Sequence, residues 1–436
     1  MFRDLFIVSV MGFFLTKALK KPYIGALLML WLTYMNPHRL APWSISYSLP
    51  LYAAAFGITF LSFLFMRDKN KYPTYFLNIM MLIFLAWGAV CTLAALEPQW
   101  ATNELVRFTK IQLGITLLLF LMQGERKIKL MVLVITLSTA FYGIKGGIFT
   151  ALTGGNFRVW GPPDSFIEGN NELAVALLMT IPLLFFMFMQ ASNKWIKRAL
   201  ILSILLCFIS VVASYSRGAF LALIVTSFFL WTKSKYKLPL AALGMVLCLS
   251  AIPFIPSHWY ERMDTIKTYE EDASAMGRIN SWWLAFNVAN DRITGGGFGH
   301  WGPTSFALYA PNPLAIHDAH SIYFEVLGEM GYPGLIMFLM MLYGNWSLAK
   351  RNIKLSKEHA DLEWCATLSR MIQVSQMAYM SGGAFLGLAY WNMPYHLMVI
   401  MILVNMHVLN VLKQKAEQEA EHDTTTTPSP SKKASV

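Results

Sequence analysis

The chain has 436 residues, 56% of them hydrophobic and 14% charged, with a mean hydropathy of +0.48 and a formal net charge of +11. Soluble domains carry charge on about a quarter of their residues, so the composition excludes an ordinary soluble protein and points to an all-α, polytopic integral membrane protein. The basic residues sit in short gaps between apolar runs, which is how cytoplasmic membrane loops are marked and not how a nucleic-acid footprint is laid out, so no nucleic-acid partner is expected. The four cysteines lie in or beside apolar runs and form no CxxC pair. They signal neither a disulfide framework nor a zinc site.

In chain order, apolar runs cover 5–19, 22–36, 48–66, 75–96, 105–122, 128–151, 171–190, 197–214, 217–232, 238–256, 320–349, 367–390 and 395–412. Most reach the roughly 17–25 residues that a spanning helix needs. The first run is shorter, is followed by Lys17, Lys20 and Lys21, and carries no small-residue cleavage pattern. It reads as a retained, partial or re-entrant segment and not as a signal peptide. That leaves about 12 full spans with both ends inside.

The gaps alternate in charge. One set holds Lys17/Lys20/Lys21, Arg67/Lys69/Lys71, Arg126/Lys127/Lys129, Lys194/Lys197/Arg198, Lys233/Lys235/Lys237, Lys350/Arg351/Lys354/Lys357 and Lys413/Lys415. These gaps are expected to be cytoplasmic. The other set (36–47, 97–103, 154–170, 215–217, 257–319 and 390–394) is neutral or mixed and is expected outside. The chain divides into N-terminal membrane helices (1–150), a region carrying the chemistry that includes the large external loop (151–416), and a polar tail (417–436) that reads as disordered.

The candidate chemistry sits at the external gaps. Arg217 lies between two apolar runs with almost no linker; it is either a snorkelling arginine or a phosphate clamp, for which a planar, permanently charged guanidinium is suited. Arg278 precedes Ile279, Asn280, Ser281, Trp282 and Trp283, which read as the start of an interfacial helix with the two tryptophans as anchors. Arg158 is a third external arginine, followed by Asn170, Asn171 and Glu172, which suit the cap of the next helix. The glycine run 295–299 either offers backbone N–H groups to a phosphate or sugar or forms a flexible turn. His317, Asp318 and His320 stand where the loop re-enters the membrane. Neutral imidazole is the side chain best able to take a proton near pH 7, with Asp318 or Glu325 to orient it; metal binding and simple packing are the competing readings. The acidic stretch 269–272 suits either a divalent cation or plain solvation.

These residues together resemble the O-antigen ligase/polymerase family (WaaL and Wzy types). The resemblance is carried by Arg217-Gly218-Ala219, by Gly277-Arg278 before tryptophans, by Gly295–Gly299 with His300, and by His320 ahead of Tyr323, Glu325 and Gly331-Tyr332-Pro333-Gly334. Arg158-Val159-Trp160 followed by Asn171-Glu172 is similar to the family's earlier external motif. Met35-Asn36-Pro37-His38-Arg39 resembles the O-glycosylation ligases associated with exosortase systems. The resemblance implies a GT-C-like membrane glycosyltransferase that moves a glycan from undecaprenyl diphosphate to a lipid A–core acceptor. It places that reaction on the periplasmic face of the bacterial inner membrane, without metal or other cofactor and with inversion. It implies His320 as base and Arg217, Arg278 and Arg158 on the diphosphate. His317, Asp318, Glu325, Asn171, His300 and Tyr323 would support them. Ser321 departs from the family pattern, where asparagine is expected. A polymerase, a protein O-oligosaccharyltransferase and a transporter of lipid-linked anions are the competing functions; the absence of an inverted repeat in the sequence argues against the last.

Overall fold

A computed structural model of the chain describes residues 2–40, 45–234, 236–239, 241, 244–245 and 273–426. The acidic stretch 269–272, most of the run 238–256 and the tail beyond Thr426 lie outside the described residues. The helices are α1 (Phe2–Lys20), α2 (Pro22–Met35), α3 (Ile45–Ser48), α4 (Leu51–Leu64), α5 (Phe76–Leu93), α6 (Pro98–Leu121), α7 (Glu125–Leu152) and α8 (Asn170–Gln190). They continue as α9 (Lys194–Val212), α10 (Arg217–Lys233), α11 (Ala273–Asp291), α12 (Pro303–Tyr309), α13 (Ile322–Ser356), α14 (Glu363–Gly382) and α15 (Asn392–Thr426). No strand occurs among the described residues. A chain in hydrocarbon must satisfy its backbone polar groups within each segment, and a helix does so.

Six helices, α5, α7, α8, α9, α13 and α15, are long and apolar enough to cross a membrane by length and composition. The chain is a multi-pass membrane protein. The expectation of about 12 spans also counts the shorter α2 and α4, the more polar α6, α10 and α14, and the run 238–256, most of which lies outside the described residues; it leaves out α1. In α14 the polarity has a structural reason. Ser369, Gln373, Ser375 and Gln376 are buried in the bundle. Ser375 donates to the Met179 carbonyl at 2.7 Å and Gln376 to the Leu342 carbonyl at 2.6 Å. α14 is thus a central helix, bonded to α8 and α13.

The two sets of gaps lie at opposite ends of the bundle. At one end, Arg39 pairs with Asp164 at 3.6 Å, Tyr47 donates to Asp164, Leu96 N–H donates to the Gly296 carbonyl at 2.8 Å, and Asn170 donates to the Ser214 carbonyl at 2.7 Å. At the other, Gln123 donates to the Lys71 carbonyl at 2.9 Å, Lys129 lies 4.8 Å from the Trp364 ring, and Lys415 pairs with Asp361 at 2.7 Å. We call these the loop face and the lysine face. α1 corrects one expectation. Asp4 accepts from Ser46 on the loop face, while Ser62 bonds the Ala18 and Leu19 carbonyls near the lysine face. The first helix therefore links both faces, and the two ends of the described chain lie on opposite sides. The last helix runs to Thr426, past residue 417 where the disordered tail was expected to begin.

Candidate functional site

α13 is two helices joined by a break. Gly331 sits at φ 65°, ψ −171°, and Pro333 follows without an N–H to donate. The half-helix 322–330 therefore ends with unpaired carbonyls. They are recaptured from outside: Gly296 N–H donates to the Gly328 carbonyl at 2.7 Å, Gly297 N–H to Glu329 at 3.0 Å, and the Trp87 indole to Met330 at 2.9 Å. A Cβ at Gly331 would lie 2.2 Å from the Ile293 carbonyl oxygen, so only glycine admits the loop this closely.

This accounts for the glycine run and corrects the sequence reading of it. Gly295 N–H donates to the Arg292 carbonyl at 2.9 Å, and Gly299 N–H to the Glu329 carboxylate at 2.9 Å. With Gly296 and Gly297 spent on α13, these N–H groups are committed inside the protein and are not offered to a ligand. His300 is enclosed with them, fully buried, 4.4 Å from the Trp301 ring and 3.3 Å from the Ser305 hydroxyl. Burial, with the Arg292 charge, holds its pKa down at about 3, so it is a neutral core imidazole and not a member of the polar cluster.

The other side of the half-helix is built differently. Asn280 on α11 donates to the Asn312 and Ala315 carbonyls at 2.9 and 3.0 Å and accepts from Asn312 N–H at 2.9 Å. Ser281 donates to the His317 carbonyl at 2.8 Å, and the Trp282 indole to the Ala319 carbonyl at 2.8 Å. Three consecutive residues of α11 thus hold the strap 312–320 by its backbone and leave most of its side chains, Ala319 excepted, exposed or half-exposed. Trp282, expected as an interfacial anchor, stacks on Phe324 at 5.0 Å instead; Trp283 is the exposed one. The strap ends at His320, whose φ of 43° is rare outside glycine and costs on the order of 1–3 kcal/mol. The chain then passes Ser321 into α13.

The charges converge at this point. The His320 pKa is lowered, first by burial and then by the Arg278 guanidinium; His317 adds to the effect and Asp318 opposes it. The His317 ring lies on Gly277, where a Cβ would come within 2.4 Å of it. Arg278 is also within electrostatic reach of Glu172 in the first turn of α8. α8 is tied in turn to the start of α10 by the Asn170–Ser214 hydrogen bond.

Arg217 opens α10, whose cap Ser216 accepts from Ala219 N–H at 3.1 Å. Phe385 packs on Gly218 and Ile322 packs on Gly383, so the starts of α10 and α13 flank the same turn at the end of α14. Tyr215, at φ 55°, donates to the Gly155 carbonyl, and the exposed Arg158 acts on it electrostatically. Arg158, Arg217, Arg278, His317, Asp318 and His320 therefore share the loop face, at the starts of α8, α10 and α13. Helix starts present free N–H groups and the positive end of the helix dipole, which favour anions.

The remaining candidates have other duties. Glu325 does not orient His320; it accepts from Ala389 N–H at 3.0 Å. Tyr323 donates to the Met380 carbonyl at 3.0 Å. Asn171 sits beside Asn170 at the start of α8, their side chains 3.5 Å apart. Sequence reasoning missed Asn280 and Ser281 as the clamp of the strap, and Glu329, which accepts from Gly299 N–H and from the Trp301 indole, each at 2.9 Å. An acidic residue inside an apolar run was the available signal for Glu329. Among the described residues, no three His, Cys, Asp or Glu side chains gather as a metal-ligand set.

Comparison with known families agrees with this placement. Residues 202–339, which include Arg217, Arg278 and His320, match a family model described as O-Antigen ligase. Residues 2–192 match a family of unknown function (DUF5935). No curated protein matches the chain. The ligase match spans Arg217, Arg278, the glycine run and the histidine strap, and so supports assigning this region to the O-antigen ligase/polymerase family.

Proposed function

We propose that the chain transfers an O-antigen glycan from undecaprenyl diphosphate to a lipid A–core sugar, with the loop face on the periplasmic side of the bacterial inner membrane. We take the fold as GT-C-like, with about 12 spans, and the reaction as metal-independent and inverting. The acceptor hydroxyl oxygen attacks the anomeric carbon. The bond from that carbon to the diphosphate oxygen breaks, and the hydroxyl proton passes to neutral His320. The diphosphate leaves with a charge that needs fixed cations and no general acid; Arg278, Arg217 and Arg158, with the helix starts beside them, supply these. Asp318 steadies the imidazolium. The observation that carries this reading is the gathering of Arg278, His317, Asp318 and His320 into one electrostatic cluster on the loop face.

The test is glycan transfer by the purified chain, with lipid A–core, a second lipid-linked repeat and a peptide offered as parallel acceptors. Transfer to lipid A–core is expected. Transfer only to the repeat would make the chain a polymerase, and transfer only to peptide a protein oligosaccharyltransferase. His320→Ala is expected to abolish transfer while donor still binds, and Arg278→Ala to weaken both. Normal transfer by His320→Ala would overturn the base assignment.

A further inference from the structure

We propose that Trp87 is a positioning residue for the transfer step: its indole N–H, bonded to the Met330 carbonyl, fixes the half-helix whose first turn carries His320 into the site. The proposal rests on the functional reading above, and it gives a part in the chemistry to the region that matches a family of unknown function.

His320 and Ser321 lead directly into the half-helix 322–330, and Glu325 N–H closes its first turn onto the Ser321 carbonyl at 2.7 Å. Nine residues of helix span only about 14 Å, and so short a helix gains little from its own hydrogen bonds. Tertiary contacts hold it instead: the buried Ile322, Val326 and Met330 pack it into the core, Tyr323 and Glu325 bond it to the Met380 carbonyl and Ala389 N–H, and its far end needs partners of its own. The break at Gly331 and Pro333 removes the continuation that would otherwise hold the far end.

What replaces that continuation is three hydrogen bonds from two separate sources. Two come from the glycine run, which is contiguous in sequence with the rest of the ligase region. The third comes from Trp87, in the middle of α5. It is donated by a side chain and is therefore the one that can be removed without touching the backbone. α5 is brought close enough by Gly88, where a Cβ would lie 2.9 Å from Met330 Cε and 2.8 Å from the Phe298 ring. Trp87 is part-buried and packs against the edge of the core, so a phenylalanine there keeps an aromatic ring in that contact while removing the N–H. Trp87 touches neither the arginines nor His320, and it acts through Met330.

The test replaces Trp87 by phenylalanine in the full-length chain, which keeps an aromatic ring and removes the N–H. Two readouts are taken on the same preparation. Hydrogen–deuterium exchange of peptides covering 319–330 is expected to speed up in Trp87→Phe, with α8 and α9 unchanged. Steady-state transfer is expected to lose roughly ten- to a hundred-fold in kcat with little change in donor KM, as a misplaced base costs rate more than binding. Unchanged exchange at 319–330 overturns the proposal whatever the activity. Faster exchange with wild-type kcat also overturns it, since the half-helix would then not govern the chemistry. If the wild-type chain transfers to no acceptor, the functional reading fails. Trp87 is then judged by exchange together with the rate at which diethyl pyrocarbonate modifies His320, unchanged rates in Trp87→Phe counting against it.

Discussion

The two loop segments that flank the half-helix 322–330 come from one polar stretch of sequence and are opposite in construction. The glycine run turns its backbone inward: the N–H groups of its four glycines bond within the protein, and His300 is buried beside them. The strap 312–320 is held by its carbonyls, through Asn280, Ser281 and Trp282, and turns most of its side chains out. A segment that spends its backbone N–H groups on the fold has none to give a ligand. A segment gripped by its backbone keeps side chains such as Asp318 free to face outward. Glycine richness alone did not distinguish a ligand cradle from a structural clamp; the partners of the N–H groups do.

Four substitutions test this contrast, in decreasing order of expected effect. His320→Ala, on the strap, removes a general base worth about 10²–10⁴ in rate, that is ~3–5 kcal/mol of barrier. Thermal unfolding should barely change, because the position is held by backbone contacts. Gly331→Ala, at the clamp, should act on stability first and on the rate only through the displaced half-helix. It forces a Cβ against the Ile293 carbonyl at positive φ and should cost about 2–4 kcal/mol of stability, read as a lower unfolding temperature in detergent. Asn280→Ala cuts the three hydrogen bonds at the head of the strap and should cost about 1–3 kcal/mol. It should show as faster exchange at 312–317 and slower transfer, with the glycine run undisturbed. Trp283→Ala, on the exposed side of α11, should change stability by roughly 0.5 kcal/mol or less.

Acidity separates the two segments as well. His300 is held neutral down to about pH 3 but titrates near 6.5 when unfolded. The unfolded chain therefore binds the extra proton first, and the stabilisation present above pH 6.5 is lost as the pH falls from there toward 3. Unfolding midpoints of wild type and His300→Phe, measured across that window, should converge as the pH drops. For the strap, the lowered His320 pKa keeps the base neutral through the physiological range, so the transfer rate should be level near pH 7 and fall only below the ordinary histidine range.

Much of this was legible in the sequence. The alternation of basic and mixed gaps separates the loops into two sets, because lysines and arginines avoid hydrocarbon and mark the ends of spans. The motifs around Arg278 and His317–His320 named residues that lie within electrostatic reach of one another. Partners distant in the chain were not legible. Nothing near Gly296 announces that its N–H will meet a carbonyl freed at a break more than thirty residues on, and Trp87 looks like any aromatic of a spanning helix. Asn280 and Ser281 read as ordinary helical polar residues, because their partners lie in a segment with no periodicity. The first helix was misjudged for a different reason: its apolar count is short, but its charged ends Arg3, Asp4, Lys17 and Lys20 lie within the helix and lengthen it.

The break in α13 also sets a rule for anyone exchanging parts between relatives of this protein. Loop and helix are fitted to each other there, the glycines on one side answering the missing N–H on the other, with α5 as a third party. A chimera meant to alter acceptor choice should carry 292–334 as one block, or else confine its cuts to the outward-facing strap between Asn312 and Asp318. A single junction between the glycine run and Gly334 would pair a donor loop with a host helix that was never shaped for it, whereas two cuts inside the strap leave both from one parent.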